Sequence, residues 1–251
     1  MTYCVAINVV SGIVLMSDTR TNAGMDNVSR FSKMHTWETP GKRVIAMATA
    51  GNLSITQGVI TRLKADILRS EQGEDVRTIL NVPTIVEVAD LVGAEMAEVQ
   101  DKYRPSMEAQ SVSYDASILV AGQRKGGRQR LFLIYAAGNY IEATRDTPFF
   151  QIGEHKYGKP ILDRVIRPET TLDNAIKAAM VSMDSTLRSN LSVGMPLDFA
   201  LIERDRFAFS QRRRIEADDR LFRAISDSWG SALIEAFDRL PTIDIDRAPR
   251  D

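Results

Sequence analysis

The sequence of 251 residues contains one cysteine, Cys4, and two histidines, His35 and His155. A single thiol excludes an intrachain disulfide framework and cysteine-based structural zinc sites, and Cys4 is expected to be a buried strand residue. Two histidines are too few for a multi-histidine metal centre, although either still suffices for a Ser-His or Cys-His pair. Excess charge of either sign is missing as well. Lys and Arg number 32 against 33 Asp and Glu, a formal charge of −1, so net charge announces neither a nucleic acid nor a membrane partner. No apolar run reaches the length of a membrane span. Tyr3–Val14 lacks a basic region and is interrupted by Asn8, Ser11 and Gly12, unlike a signal peptide, so the expected compartment is the cytoplasm. The basic clusters Arg124–Arg130 and Arg212–Arg214 lack interleaved aromatics and are expected to be solvated loops.

What is present is an ordinary globular composition, 44% hydrophobic and 26% charged, enough for one large core at this length. One domain over 1–251 is expected, with a core of about 2–212 and a C-terminal extension of about 216–251. The β-rich runs Tyr3–Val10, Ile13–Ser17, Met34–Glu38 and Val44–Ala50, separated by Ser11-Gly12 and Pro40-Gly41 turns, predict antiparallel hairpins. Helical spacing then takes over. Ile55, Val59, Ile60, Leu63 and Ile67 form one apolar stripe, and Val86, Leu91, Val92, Met96 and Val99 a second. Strands return at Ser113–Gly122, Arg130–Ala136 and Tyr140–Thr144, with glycine turns between them. Thr171–Leu187 reads as a third helix, and Leu197–Glu203 with Phe207–Arg212 as a closing hairpin. Glu216–Leu240 reads as a terminal amphipathic helix whose stripe of Leu221, Ile225, Trp229, Leu233 and Phe237 is expected to pack on its own domain, contact between subunits being the alternative. Two sheets each with a face to cover call for helical layers. The α+β order therefore fits a four-layer αββα sandwich, although spacing alone is equally compatible with a conventional α+β domain.

Thr2 is the first candidate for chemistry. Removal of Met1 would leave a hydroxyl and a free α-amine on one residue, a nucleophile carrying its own base with a pKa near ~8. Three further features accompany it: Ser17-Asp18-Thr19-Arg20 at a strand end, Phe31-Ser32-Lys33-Met34 opening another strand, and Thr49-Ala50-Gly51-Asn52 joining a strand to a helix. A lysine a few ångströms from Thr2 would favour its alkoxide and depress the pKa of the neighbouring amine, and Asp18 would hold Lys33 charged and oriented. Gly51, at the start of a helix, offers a backbone N–H where negative charge develops. Each residue also has an ordinary reading: Asp18 as a turn former, Lys33 as an exposed strand lysine and Gly51 as a cap.

The segment from Thr2 to about Gly58 resembles proteasome-type β subunits, which are N-terminal nucleophile hydrolases, and is closest to the bacterial ancestral-β-subunit group, Anbu. The resemblance in element order continues to about Arg212. It implies that Thr2 becomes residue one after processing, that Asp18 and Lys33 match the acidic residue and lysine of the active site, and that Gly51 is the oxyanion-hole glycine. It further implies that Asn22 binds the main chain of an extended substrate and that Thr49 and Leu53 line a modest, uncharged pocket; Arg20 would instead confer an acidic-side preference. No cofactor or metal is required, the substrate is a peptide or related amide, and self-assembly into a homo-oligomer is expected. No ATP-dependent unfoldase is identified.

Two positions depart from the family pattern. Glu154, in Phe149-Phe150-Gln151-Ile152-Gly153-Glu154, falls where a serine is usual, and is either a replacement acceptor or, more commonly for a glutamate, a surface residue. In Ser189-Asn190-Leu191-Ser192 the usual aspartate is missing while Ser192 matches the serine. Three functions stay open: a threonine peptidase, an inactive scaffold or binding subunit of the same fold, and an amidase or amide-transfer enzyme acting on small or modified peptides.

Overall fold

The computed structural model describes residues 2–22 and 28–243. Strands β1 (Tyr3–Val9) and β2 (Gly12–Asp18) form a hairpin, followed by the short pair β3 (Arg20–Asn22) and β4 (Val28–Arg30). Next come β5 (Met34–Thr39), β6 (Arg43–Gly51), α1 (Leu53–Glu71) and α2 (Ile85–Ala109). The chain continues through β7 (Ala116–Arg124), β8 (Arg130–Ile134), β9 (Tyr140–Glu142) and β10 (Phe149–Gly153). It closes with α3 (Lys159–Val165), α4 (Leu172–Ser189), β11 (Leu197–Glu203), β12 (Gln211–Ile215) and α5 (Arg220–Asp238). One antiparallel sheet has the order β10-β1-β2-β11-β12 and the other β5-β6-β7-β8-β9.

Alternation along the strands sorts the core into layers, because successive side chains leave opposite faces of a sheet. Tyr3, Val5, Ile7, Val14 and Met16 face the layer of α3 and α4, where Leu162, Ala175, Ala179 and Met183 meet them. Cys4, Ala6, Ile13 and Leu15 face Val44, Ala46, Ala48, Leu119 and Ala121 of the second sheet. Ile45, Met47, Ile118 and Val120 pack beneath α1 and α2 on Val59, Val92 and Met96. The result is the expected αββα sandwich. Both faces of the central strands are buried, so β1, β2, β6 and β7 are nearly continuous apolar runs rather than strict alternations. The alanines between the sheets keep the inner layer thin.

Helix starts follow their caps. Asn52 accepts from the N–H groups of Ser54 and Ile55 at α1, the Thr84 hydroxyl accepts from the Glu87 N–H and donates to the Glu87 carboxylate at α2, and Thr171 caps α4.

Several elements differ from the sequence expectation. The strands β3, β4 and β10 and the seven-residue helix α3 are too short to show a period of their own; they exist through pairing and packing. The last hairpin closes with β12 at Gln211–Ile215 instead of Phe207–Arg212, since Asp205 and Phe207 adopt positive φ in the turn. Arg212–Arg214 is therefore an edge strand rather than a loop. Arg213 pairs with Asp219 and Arg214 with Asp198, and such charge suits a strand that must not recruit another. Helix α5 also departs from expectation. Phe222 is buried and Ile225 packs against the core, but Leu233 and Phe237 are 50% and 73% exposed, because only its first half lies on α4, and even there Leu221 is 53% exposed.

His35 in β5 gives the fold a pH response. Burial, reinforced by Lys64 and opposed by Asp198, lowers its pKa from 6.5 to about 4. The folded state thus holds it neutral while the unfolded chain takes up a proton sooner. Its contribution to stability is complete above pH 6.5 and falls as the pH drops to about 4. The urea midpoint is expected to decline across that window and to decline less in His35→Gln.

Candidate active site

Thr2 lies just before β1 and is buried at 9% exposure. It lines a cleft of about 260 Å³ to which several chain segments contribute. Gly153 comes from the end of β10, Thr21 from β3, Lys33 from the turn before β5, and Thr49, Ala50 and Gly51 from the end of β6. Leu53 and Thr56 reach it from the first turn of α1, one helical turn apart on the same face. The structure thus brings Thr2, Lys33, Thr49, Gly51 and Leu53 to one opening. A larger apolar groove, about 780 Å³, lies between α3, α4 and α5. Its main lining, Ile161, Val165, Val181, Ile225 and Trp229, brings no buried ion pair to a hydroxyl.

Lys33 is neither exposed nor free. Its Nζ donates to Asp18 Oδ1 at 2.6 Å and to the Arg20 carbonyl at 2.6 Å. Asp18, fully buried, accepts in addition from Tyr3 N–H at 3.1 Å and from Gly194 N–H at 3.3 Å. Burial pushes the Asp18 carboxyl above its ordinary range, while Lys33 and the two backbone donors pull it down. With one cation and two N–H groups aimed at it, the carboxylate has the partners a buried charge requires. It ties the start of β1, the lysine and the loop before β11 to one point. Among the described residues, the remaining lining of the cleft is uncharged.

Two glycines shape the opening. Gly51 ends β6 at φ +97°, and a Cβ there would sit 2.3 Å from the Asp115 carbonyl. Gly153 has φ +81°, and its Cβ would sit 2.0 Å from the Thr2 carbonyl. Neither position tolerates a side chain. Beyond Gly153, the Glu154 N–H donates to the Thr2 carbonyl at 2.6 Å.

Glu154 is not a surface residue. It is 9% exposed, and its carboxylate accepts from Lys156 N–H at 3.2 Å and from Asn190 Nδ2 at 3.2 Å. Ser192 is absent from the cleft lining; its N–H donates to Asn190 Oδ1 at 2.9 Å. Arg20 points to the same loop, donating to the Leu191 carbonyl at 2.7 Å. Asn22 ends β3, its side chain falling outside the described residues together with Ala23 and Gly24. Cys4 is buried as expected, and burial pushes its thiol well above the ordinary range, so it is no competing nucleophile. Sequence reasoning missed Thr21 and Thr56 as lining. Thr56 carried a usable signal in its spacing from Leu53, whereas the only signal for Thr21 was its place beside Asn22.

Removing Lys33 would strand a buried carboxylate. Lys33→Met is expected to cost about 3–5 kcal/mol in urea unfolding, and the double change Lys33→Met with Asp18→Asn to cost less than Lys33→Met alone.

Residues 2–202 match the sequence profile described as "Proteasome subunit". Anbu (ancestral β-subunit) from Yersinia bercovieri is 43% identical with a TM-score of 0.90, covering 97% of this chain and 99% of its own. Anbu from Hyphomicrobium sp. strain MC1 is 46% identical with a TM-score of 0.86, covering 97% of this chain and 100% of its own. The helical assembly of the Anbu complex from Pseudomonas aeruginosa contains a chain 42% identical with a TM-score of 0.91, covering 98% of this chain and 100% of its own. Among curated proteins, none matches the chain.

Proposed function

The chain belongs to the proteasome subunit family, and we propose that it is an N-terminal threonine hydrolase of peptide or related amide bonds that works within a self-assembled complex. The observation that carries this reading is that Lys33, ion-paired with the buried Asp18, lines the same cleft as Thr2 and Gly51. Once Met1 is removed, the Thr2 hydroxyl attacks the substrate carbonyl and its proton passes to the α-amine, directly or through water. The Gly51 N–H donates to the oxyanion. The amine then protonates the leaving nitrogen as the C–N bond breaks, leaving an ester on Thr2. Water, deprotonated by the same amine, hydrolyses the ester and restores the hydroxyl. The Lys33 ammonium favours the alkoxide and lowers the pKa of the amine beside it, keeping the base neutral near pH 7.

Strand β3 is the natural partner for an extended substrate, paired through the backbone at Asn22. Thr49 and Leu53, with Thr21 and Thr56 beside them, favour a small or medium uncharged side chain. Intact mass tests the chemistry. Loss of Met1 and a single β-lactone adduct on Thr2 are expected; Thr2→Ala should lose the adduct and lower hydrolysis by about a thousandfold or more.

Self-assembly is proposed from the helical arrangement of the Pseudomonas aeruginosa relative and from the unburied end of α5. Ile234, Phe237 and Leu240 are 66%, 73% and 62% exposed, a cluster of a kind that commonly marks a protein contact. A helical array uses two different faces of each subunit, so α5 of one copy is expected to meet another face of its neighbour. Ile234→Asp with Phe237→Asp should shift sedimentation to smaller species while the subunit stays folded. A second reading, a scaffold without turnover, is favoured by the absence of Ser192 from the cleft; it predicts full-size assemblies that never take up the probe.

A further inference from the structure

We propose that Glu154, held in place by Asn190, is a positioning residue for the Thr2 α-amine and sets the pH at which that amine becomes a base. This rests on the reading of Thr2 as nucleophile and base. The register of β1 with β10 ends at Tyr3 opposite Gly153, and the next step places Thr2 opposite Glu154. The hydrogen bond from Glu154 N–H to the Thr2 carbonyl confirms that pairing. At Gly153 the missing side chain lets the two backbones close to contact, since a Cβ there would meet the Thr2 carbonyl.

The Glu154 carboxylate is buried but has only neutral donors, one for each oxygen: Lys156 N–H on Oε1 and Asn190 Nδ2 on Oε2. Among the described residues it forms no ion pair with a side chain. An ionised carboxylate accepts about four hydrogen bonds, and a buried one calls for opposite charge. Removal of Met1 would create that charge on the facing residue. Asn190 is itself fixed. Its N–H donates to the Thr186 carbonyl at the end of α4, and its Oδ1 accepts from Ser192 N–H, which leaves Nδ2 directed at Glu154. The two departures from the family pattern, at 154 and at 189–192, therefore touch each other and act as one unit.

Among the described residues, the other charged or titratable groups around Thr2 are few. Lys33 comes from the turn before β5 and is paired with Asp18 at the end of β2. Helix α1 contributes Leu53 and Thr56 alone to the cleft. The Tyr3 hydroxyl is engaged with Ser182 of α4 and Gln151 of β10, Arg20 is held at the Leu191 carbonyl, and His155 and Lys156 are exposed. The amine pKa is then a balance, lowered by Lys33 and raised by Glu154.

The test is competitive acetylation of the α-amine across pH, read by mass spectrometry of the N-terminal peptide in chains verified to have lost Met1. Glu154→Gln is expected to lower the titration midpoint by about one pH unit. Asn190→Ala, which loosens the carboxylate without removing it, should lower it by less. The acidic limb of β-lactone capture should move with the midpoint in both variants. An unchanged midpoint in Asn190→Ala and Glu154→Gln, or a raised one, would overturn the proposal; if Glu154→Gln does not fold, Asn190→Ala decides alone. Because acetylation reports the amine whether or not Thr2 reacts, a parent protein that takes up no β-lactone refutes the nucleophile reading without obscuring the role of Glu154.

Discussion

The buried pair of Asp18 and Lys33 is the interaction on which the arrangement of the site depends. Asp18 Oδ1 accepts from both Lys33 Nζ and Tyr3 N–H, and Oδ2 accepts from Gly194 N–H. The residue after Thr2, the lysine before β5 and the loop before β11 are thereby referred to a single carboxylate. A buried ion pair is stabilising only when its remaining hydrogen-bonding capacity is met, and here the backbone meets it. The Arg20 carbonyl takes a second proton of the lysine, so the ammonium is oriented as well as neutralised. Thr2, Lys33 and the end of β6 are held in one cleft as a consequence.

The sandwich supplies the rigid frame for this pair. Alanines at 6, 46, 48, 121 and 200 occupy the layer between the sheets, and small side chains let two twisted sheets approach closely while their outer faces hold Ile, Val and Met against helices. The cleft opens where β1, β6 and β10 run out together. Gly51 and Gly153 are placed there for the same reason, since each approaches a carbonyl more closely than any side chain allows. On the far side of β1, Tyr3 links Ser182 and Gln151, so the strand carrying Thr2 is anchored from the helical layer also.

Two features are incomplete in the isolated chain. The outer half of α5 and the residues just after it present Ile234, Phe237 and Leu240 to water, a surface that self-assembly would cover. Among the described residues, Glu154 is a buried carboxylate with neutral donors only, a charge that a free α-amine on Thr2 would balance. In both cases the missing partner is one that the proposed function provides, either a second copy or the removal of Met1.

Much of this was legible in the sequence. The long strands and helices show their periods because each has a face that must be buried, and Thr2, Asp18, Lys33 and Gly51 stand out together only through the resemblance to proteasome-type β subunits, each having an ordinary reading by itself. The short elements β3, β10 and α3 were not legible, since they have too few residues to express a period and form only against their neighbours. Nor did α5's stripe reveal how much of it finds a surface, because amphipathicity records a capacity for burial and not its extent. The sequence by itself determined the order of the long strands and helices along the chain and the residue types available for chemistry, while their stacking into four layers was one of two arrangements the spacing allowed. Only the tertiary structure decided that Glu154 is buried beside Thr2, that Asn190 rather than Ser192 meets it, and that Arg212–Arg214 is an edge strand. The physical reason is common to all three: hydrogen-bond partners far apart in the chain are chosen by strand register and loop path, which no local pattern encodes.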